Sequence, residues 1–488
     1  MRRRKPEILV LAMDIGSSST RSALFDEKGC ALIETTASRQ YAVGYSADGG
    51  AELSPELLLR AARTCLRKTL RARDSVTSLR KVPIVAAGGS AFWHSLLGLD
   101  EKGGPVTPVF TWADSRCAGD AARLREEFDE RKIHAQTGCM LRASFWPAKL
   151  RWLRRTNRRL FGKVARWVSP AEWIFEEIFG ASGSSHSMAS ATGLYDLRTR
   201  NWHSALADAC GVDVKKLGPL AEVSPQSASS FEGFRGVRIF SAIGDGAAGN
   251  LGCGANGAGR IAINVGTSAA VRVMESASGR MRSTPFGLFR YAVDRERRVV
   301  GGAVSNAGNL RRWCSRELRI DRKPDTALGR KAAADDALTI LPFWVGERAP
   351  TWPENLLGTI AGLTQATDAA QIFRATTCAV FYRLAEILDR IETAGGRAKE
   401  IIVSGGILKS RASLELLADA LGRDVCISSQ PEASLRGAAI YVLEKLGSDP
   451  AALPKAEVVR HDRRLATKHR VRRARQVALE KVLAKSSR

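Results

Sequence analysis

The stretch M-D-I-G-S-S-S-T-R, Met13 to Arg21, puts a carboxylate, a glycine, a run of hydroxyls and a guanidinium close together. Glycine lets backbone N–H groups approach a ligand closely, and Ser17, Ser18, Ser19 and Thr20 add hydroxyl donors, so the segment suits an anion. Arg21 adds a fixed positive charge at its edge, and Asp14 a carboxylate able to hold a hydrated Mg2+. Taken alone, the same residues also read as an ordinary Ser/Gly hairpin. The pattern returns at I-A-I-N-V-G-T-S-A-A-V-R-V-M, Ile261 to Met274, which aligns without gaps on Leu11 to Leu24. Asn264 falls on Asp14, Gly266 on Gly16 and Thr267 on Ser17. Two copies of one phosphate-sized turn, each opening a half of the chain, suggest a duplicated fold with a nucleotide between the halves.

Three further places carry chemistry. The apolar run after Val237 ends in Gly244-Asp245-Gly246 and enters a helix of small residues. A strand end facing a cleft holds a catalytic base rigidly; the other reading of Asp245 is a helix cap. Glu400 to Ser404 is a strand ending in Gly405-Gly406, where backbone can pass against a flat base with no Cβ in the way. Trp93-His94 follows a strand and a Gly-Gly-Ser, and Asp114 lies in T-W-A-D-S-R. Spacing alone leaves His94 as a core histidine and Asp114 as a helix-start aspartate.

The elements that must position these groups are legible in outline. Ile8 to Thr35 reads as a strand–turn–strand–turn–strand meander. Ser54-Pro55-Glu56 starts a helix reaching Arg73, and Val82 to Ala87 is a strand delivering the chain to Trp93. Residues 115–155 are largely helical, and a helix over Leu414 to Leu421 precedes a strand over Asp424 to Ser428. A length of 488 residues calls for two or three domains.

The formal net charge is +25, but the tail from Ala451 to Arg488 holds twelve Lys or Arg against three Asp or Glu, and the rest is spread along the chain. A diffuse excess of this kind argues against a nucleic-acid footprint. The nine cysteines are scattered, with no C-x-x-C pair, which points to small buried thiols in a reducing cytoplasm. Positive charge precedes an apolar run at the start, but the run is too short for a signal peptide and Asp14 interrupts it. No stretch approaches a membrane span. The basic tail reads as a disordered appendage or an extra surface helix, so a chain ending near Gly447 is expected to fold and to keep its activity.

The pair of turns, with G-D-G-A-A, the adenosine-type segment S-G-G-I-L-K-S and P-E-A-S-L-R-G-A-A, resembles the FGGY carbohydrate kinases over roughly residues 8 to 448. Within the family, T-W-A-D-S-R, H-S-L and G-E-R-A-P are most similar to the gluconate kinase subgroup. The resemblance implies an α/β fold of two ribonuclease-H-like domains of the actin, Hsp70 and sugar kinase superfamily, with mixed sheets and an interdomain cleft. Its expected divisions are residues 1–250, residues 251–448 and a basic tail over 449–488. It implies ATP and Mg2+ as cofactors, with Asp14 positioning the metal, Ser17, Ser18 and Arg21 holding the transferring phosphate, and Gly266 and Thr267 the β- and γ-phosphates. Gly405 and Gly406 would flank the adenosine, Asp245 would be the general base, and Trp93, His94 and Asp114 would line the sugar pocket with it. The small-residue helix after Pro431 would close the adenosine motif. Trp93 stands where the family more often has methionine, and Thr377 and Cys378 where it prefers an apolar residue and an acid. The expected reaction is phosphorylation of D-gluconate to 6-phosphogluconate in the cytoplasm. A kinase of xylulose or another pentulose is the nearest alternative, and a catalytically silent nucleic-acid-binding relative a more distant one. A homodimer is left open.

Overall fold

The computed structural model describes residues 6–224, 234, 236–279, 281–320, 324–330, 337–430, 432–454 and 456–486; the basic residues 1–5, and residues 455, 487 and 488 of the tail, lie outside them. The first sheet is built around β1 (Leu9–Ile15), buried at every position as befits a central strand covered on both faces. It pairs antiparallel with β2 (Ser19–Phe25), which pairs antiparallel with β3 (Ala37–Gln40). On its other side it runs parallel to β4 (Ile84–Ala91), against which β6 (Arg238–Phe240) and β7 (Ile243–Gly244) also run parallel, with β5 (Val223–Ser224) antiparallel at the edge. The second sheet repeats the core of this order with one more antiparallel strand at its edge. Here β8 (Arg260–Val265) pairs with β9 (Ala269–Ser276), followed outward by β11 (Arg297–Val304) and β10 (Phe289–Ala292), all antiparallel. Its parallel neighbours are β12 (Glu400–Ser404) and then β13 (Val425–Ile427), with β14 (Glu457–Val459) antiparallel at the edge. Two mixed sheets that share this core, a central strand with an antiparallel hairpin partner on one side and parallel neighbours on the other, make two ribonuclease-H-like halves.

The strand expected to end at Ala87 continues to Ala91, because Gly88 and Gly89 leave room for covering side chains. A Cβ on Gly89 would stand 2.8 Å from the Phe175 ring. The helices that matter below are α1 (Pro55–Ser75), α2 (Asp245–Gly252), α3 (Ala369–Gly395), α4 (Arg411–Leu421), α5 (Ala433–Lys445) and α6 (Arg463–Ser486). The first begins where expected, with the Ser54 hydroxyl accepting from the Leu57 amide.

Two sequence expectations change here. The helix after Pro431, α5, does not close an adenosine site: it packs on β1 and β4 of the first sheet and against α2. The two helices meet so closely that a Cβ on Gly252 would overlap the Ala433 carbonyl and one on Gly437 the Ala248 carbonyl. Small residues in both helices are there for backbone contact. The tail is not an appendage either. β14 completes the second sheet, and α6 packs on α4, α3 and the strand Thr339–Leu341. Its buried face carries polar groups: Tyr382 Oη and His469 Nδ1 lie 2.8 Å apart, and the Gln476 amide donates to the Ile340 carbonyl at 2.8 Å. Arg383, fully buried on α3, donates to Glu480 at 2.6 Å. Blocks of arginine hide this face from a hydropathy reading, because its contacts are hydrogen bonds.

Candidate active site

The two repeated turns lie at matching strand ends and reproduce each other down to a side-chain contact. The Ser90 hydroxyl on β4 donates to Asp14 Oδ1 at 2.5 Å, and Asn264 Nδ2 donates to the Ser404 hydroxyl on β12 at 3.0 Å. The gapless alignment holds only up to the turn. Ile15 pairs with Thr20, enclosing residues 16–19, whereas Val265 pairs with Ala269, enclosing residues 266–268. The second turn is therefore one residue shorter, and Ala270, not Val271, faces Asn264 as Arg21 faces Asp14.

Between the turns opens a cavity of about 150 Å3 lined on one side by Ser17, Trp93, His94, Trp112 and Asp245, and on the other by Asn264, Arg272, Tyr291 and Arg348. Asp245 is the first residue of α2, immediately after the end of β7. A serine-rich loop fixes this strand end: the Ser187 hydroxyl accepts from the Gly244 amide at 3.0 Å, and Ser185 donates to the Ala242 carbonyl at 2.6 Å. Trp93 occupies the space left by two glycines, since a Cβ on Gly244 or Gly246 would overlap its indole. Burial holds the Asp245 carboxyl above the ordinary carboxylate range, and Arg272, the Gly246 amide and Arg348 draw it part of the way back. A base must be deprotonated to work, so kcat/KM is expected to fall as pH drops through this raised value. The acid limb of the pH profile should sit above 3.8 and shift in a variant lacking the carboxylate, with the raised Asp14 also contributing to it.

His94 adopts a left-handed backbone, φ +67°, an unusual conformation for a residue with a side chain. Its Nδ1 lies 2.6 Å from the Ala191 carbonyl and so carries the proton, while burial lowers its pKa to about 3. The ring is neutral and keeps Nε2 as an acceptor. Asp14 is pushed up to about 6 by burial, against the Ser90 hydrogen bond and the charge of Arg21. Arg21 lies 3.8 Å from Asp14 and 2.5 Å from Glu432, at the start of α5. Ser17 lines the cavity and Ser18 is exposed at the turn tip.

A second, larger cleft of about 600 Å3 adjoins the other turn. It is lined by Gly266, Thr267, Gly308, Gly406, Leu310, Phe381, Arg311 and Lys409, among others. Apolar walls with cations and turn amides at one end match the two chemistries of a nucleotide. Gly406 lines it; Gly405 lies behind, at φ +94°, where a Cβ would stand 2.6 Å from the Val265 carbonyl. Thr376 and Thr377 line the same cleft, their hydroxyls bonded back to Ile372 and Phe373 in the helix.

One expected pocket residue is not brought to the site. Asp114 is buried, but both carboxylate oxygens point at Arg116 and one also accepts from the Ala51 amide at 3.2 Å. It shapes the loop, and Trp112, two residues earlier, supplies the cavity wall. The guanidinium of Arg348 stacks 4.4 Å over the Trp112 ring. Lys149 is likewise structural: buried, it donates to the Ala143 carbonyl at 2.5 Å and anchors the loop that carries Ser144 and Phe145 to the cavity. Arg272 escaped sequence reasoning altogether. Its only signal is a cation in an otherwise small and apolar central strand, where its register neighbours are Ala262 and Gly301. Among the described residues no group of three or more His, Cys, Asp or Glu side chains could hold a metal ion. A single carboxylate suits Mg2+, which keeps most of its waters and takes the remaining ligands from phosphates. Among the described residues no helix is long and apolar enough to cross a membrane.

Comparison with known proteins agrees with this geometry. Residues 9–252 match the N-terminal domain of the FGGY family of carbohydrate kinases, and residues 261–443 match its C-terminal domain. A gluconokinase of Bacillus subtilis (strain 168) is 28% identical over 469 residues, which cover 90% of this chain and 88% of that protein. Among solved structures, a gluconate kinase from Lactobacillus acidophilus superposes with a TM-score of 0.87 at 22% identity, covering 98% of this chain and 99% of that one. A xylulose kinase from the same organism superposes with a TM-score of 0.88 at 23% identity and the same coverage, so backbone shape does not separate the two substrates. With both domain matches in sequence order and both phosphate-sized turns facing one cavity, the chain belongs to the FGGY family of carbohydrate kinases.

Proposed function

We propose that this protein transfers the γ-phosphoryl group of ATP to a hydroxyl of a sugar acid, with D-gluconate as the preferred acceptor and 6-phosphogluconate as the product. The observation that carries this reading is Asp245, held at a strand end on the wall of the cavity between the two turns, next to a cleft of nucleotide size. The acceptor hydroxyl would give its proton to the Asp245 carboxylate as its oxygen bonds to the γ-phosphorus, and ADP would leave with the bridging oxygen. Ser17, Ser18 and the amides of the first turn would receive the transferring phosphoryl group, and Gly266 and Thr267 the β- and γ-phosphates before transfer. Arg21 would leave Glu432 for the phosphate, and Gly406 would meet the adenosine.

Asp14 would hold Mg2+ through water, and the ion when bound would screen the charge of the phosphates. Trp93 would offer an apolar face to the carbon chain and the neutral His94 an acceptor to a hydroxyl. A cytoplasmic setting fits the nine scattered cysteines. The acceptor identity is supported by the gluconokinase relative and by the sequence motifs shared with that subgroup. A coupled ADP-release assay across gluconate, xylulose, ribulose, glycerol and fuculose tests it. The expected result is the highest kcat/KM on gluconate. A higher value on xylulose or another neutral ketose would replace the acceptor and leave the kinase reading in place.

A further inference from the structure

Among the described residues Arg272 has no hydrogen-bonded or ion-paired partner for its guanidinium. Its side chain extends from the middle of β9 past Gly301 and Gly246; a Cβ on Gly246 would stand 2.6 Å from its Nε. Nε is buried with no hydrogen-bond partner, and among the described residues the guanidinium makes no ion pair; Asp245, across the cavity, acts on it only at longer range. Arg272 as a whole is only partly buried, but leaving its buried Nε without an acceptor costs free energy, so a structure that keeps it there has a use for it. Arg348 lies on the same cavity with one face against Trp112. Its Nε and one terminal nitrogen donate to the Ser305 hydroxyl and the Val304 carbonyl, both at 3.2 Å, which fixes the guanidinium plane.

We propose that Arg272 and Arg348 form the subsite for the carboxylate of the acceptor, with Arg272 the residue that selects a sugar acid over a neutral sugar. This rests on the sugar-acid reading given above. Charge supports it first. The described side chains lining the cavity bring two guanidiniums and one carboxylate, Asp245, while His94 is neutral. A neutral polyol would give Arg272 an acceptor but no counter-charge; a carboxylate gives both, in the planar geometry that a guanidinium matches. The chemistry supports it second. When Asp245 takes the hydroxyl proton its negative charge is lost, and an acceptor carboxylate would then be the counter-ion left in the cavity for Arg272, Arg348 having Glu347 beside it. A site built around that pairing rejects the uncharged analogue because its own buried donors go unpaired.

The competing role for Arg272 is to act only through Asp245, holding its pKa down. The test separates the two by comparing D-gluconate with D-gluconamide, its neutral counterpart. Dissociation constants would be measured by calorimetry on the full chain without ATP, for the wild type, Arg272→Met and Arg272→Lys, alongside pH profiles of kcat/KM. The expected result is a 10- to 100-fold weaker binding of gluconate by Arg272→Met, of the order lost with one charge-assisted hydrogen bond, and a change under about 3-fold for gluconamide. Arg272→Lys should recover part of the loss, and it carries the test if the Met variant fails to fold. Equal losses on both ligands, or a displaced acid limb with unchanged gluconate binding, would make Arg272 a positioning residue for Asp245 and overturn the subsite. Unchanged gluconate binding in Arg272→Met, with a wild type that phosphorylates gluconate, would overturn the subsite alone. A wild type that neither binds nor phosphorylates gluconate would overturn the sugar-acid reading and this inference with it.

Discussion

Replacing Asp245 by Asn is expected to lower turnover by about 10²-fold or more while nucleotide binding survives, because the amide keeps the size and polarity of the carboxylate but cannot take a proton. The large effect follows from position. The carboxylate stands at the junction of β7 and α2, held by Ser185 and Ser187 behind it and by Trp93 packed against its two flanking glycines. Few alternative bases are at hand: His94 already gives its Nδ1 proton to Ala191, and burial disfavours its charged form. The cleft proposed for the nucleotide adjoins the second turn and does not include residue 245, so ATP affinity by calorimetry should change little. Turnover unchanged in the variant would remove Asp245 from the reaction.

Removing residues 448–488 is expected to unfold the second half of the protein, and Glu480→Leu alone to lower its stability by about 3 kcal/mol in urea denaturation. Breaking a buried ion pair by deleting one partner costs about 3–5 kcal/mol, since the remaining charge stays buried. Glu480 is the main acceptor of the fully buried Arg383, and it also accepts from the Thr351 hydroxyl. Glu386, whose carboxylate lies 4.0 Å from Arg383, can compensate in part, which places the expected loss at the lower end of that range. Truncation removes much more: the edge strand β14, the Gln476 bonds to the Ile340 and Ala379 carbonyls, and the helical cover of α3. A shortened chain that folds with wild-type stability would show α6 to be dispensable.

The comparison of sequence and structure divides along physical lines. Both hairpins were legible because their chemistry is local: a buried strand, a glycine turn and a second strand lie within about fifteen residues, and the repeat at Ile261 marked the second copy. Asp245 was legible for the same reason, as a carboxylate between glycines at the junction of an apolar strand and a small-residue helix. The one-residue shortening of the second turn was not, since an ungapped alignment looks the same until the strand register is known.

What the sequence by itself determined is the set of short-range devices and their order: two anion-sized turns, a strand-end carboxylate, and a paired-glycine strand end. Their local backbone geometry depends on neighbours within a few residues. The tertiary structure alone decided which groups share a wall. It turned Asp114 away to Arg116 and brought Trp112 forward, and it sent α5 across to the first sheet. It also packed a basic tail into a core through Glu480 and Gln476, and it left Arg272 on a cavity with its Nε unpaired. The Glu480 and Gln476 contacts join residues 97 and 136 positions apart, where charge and hydropathy along the chain carry no record of what a side chain will meet.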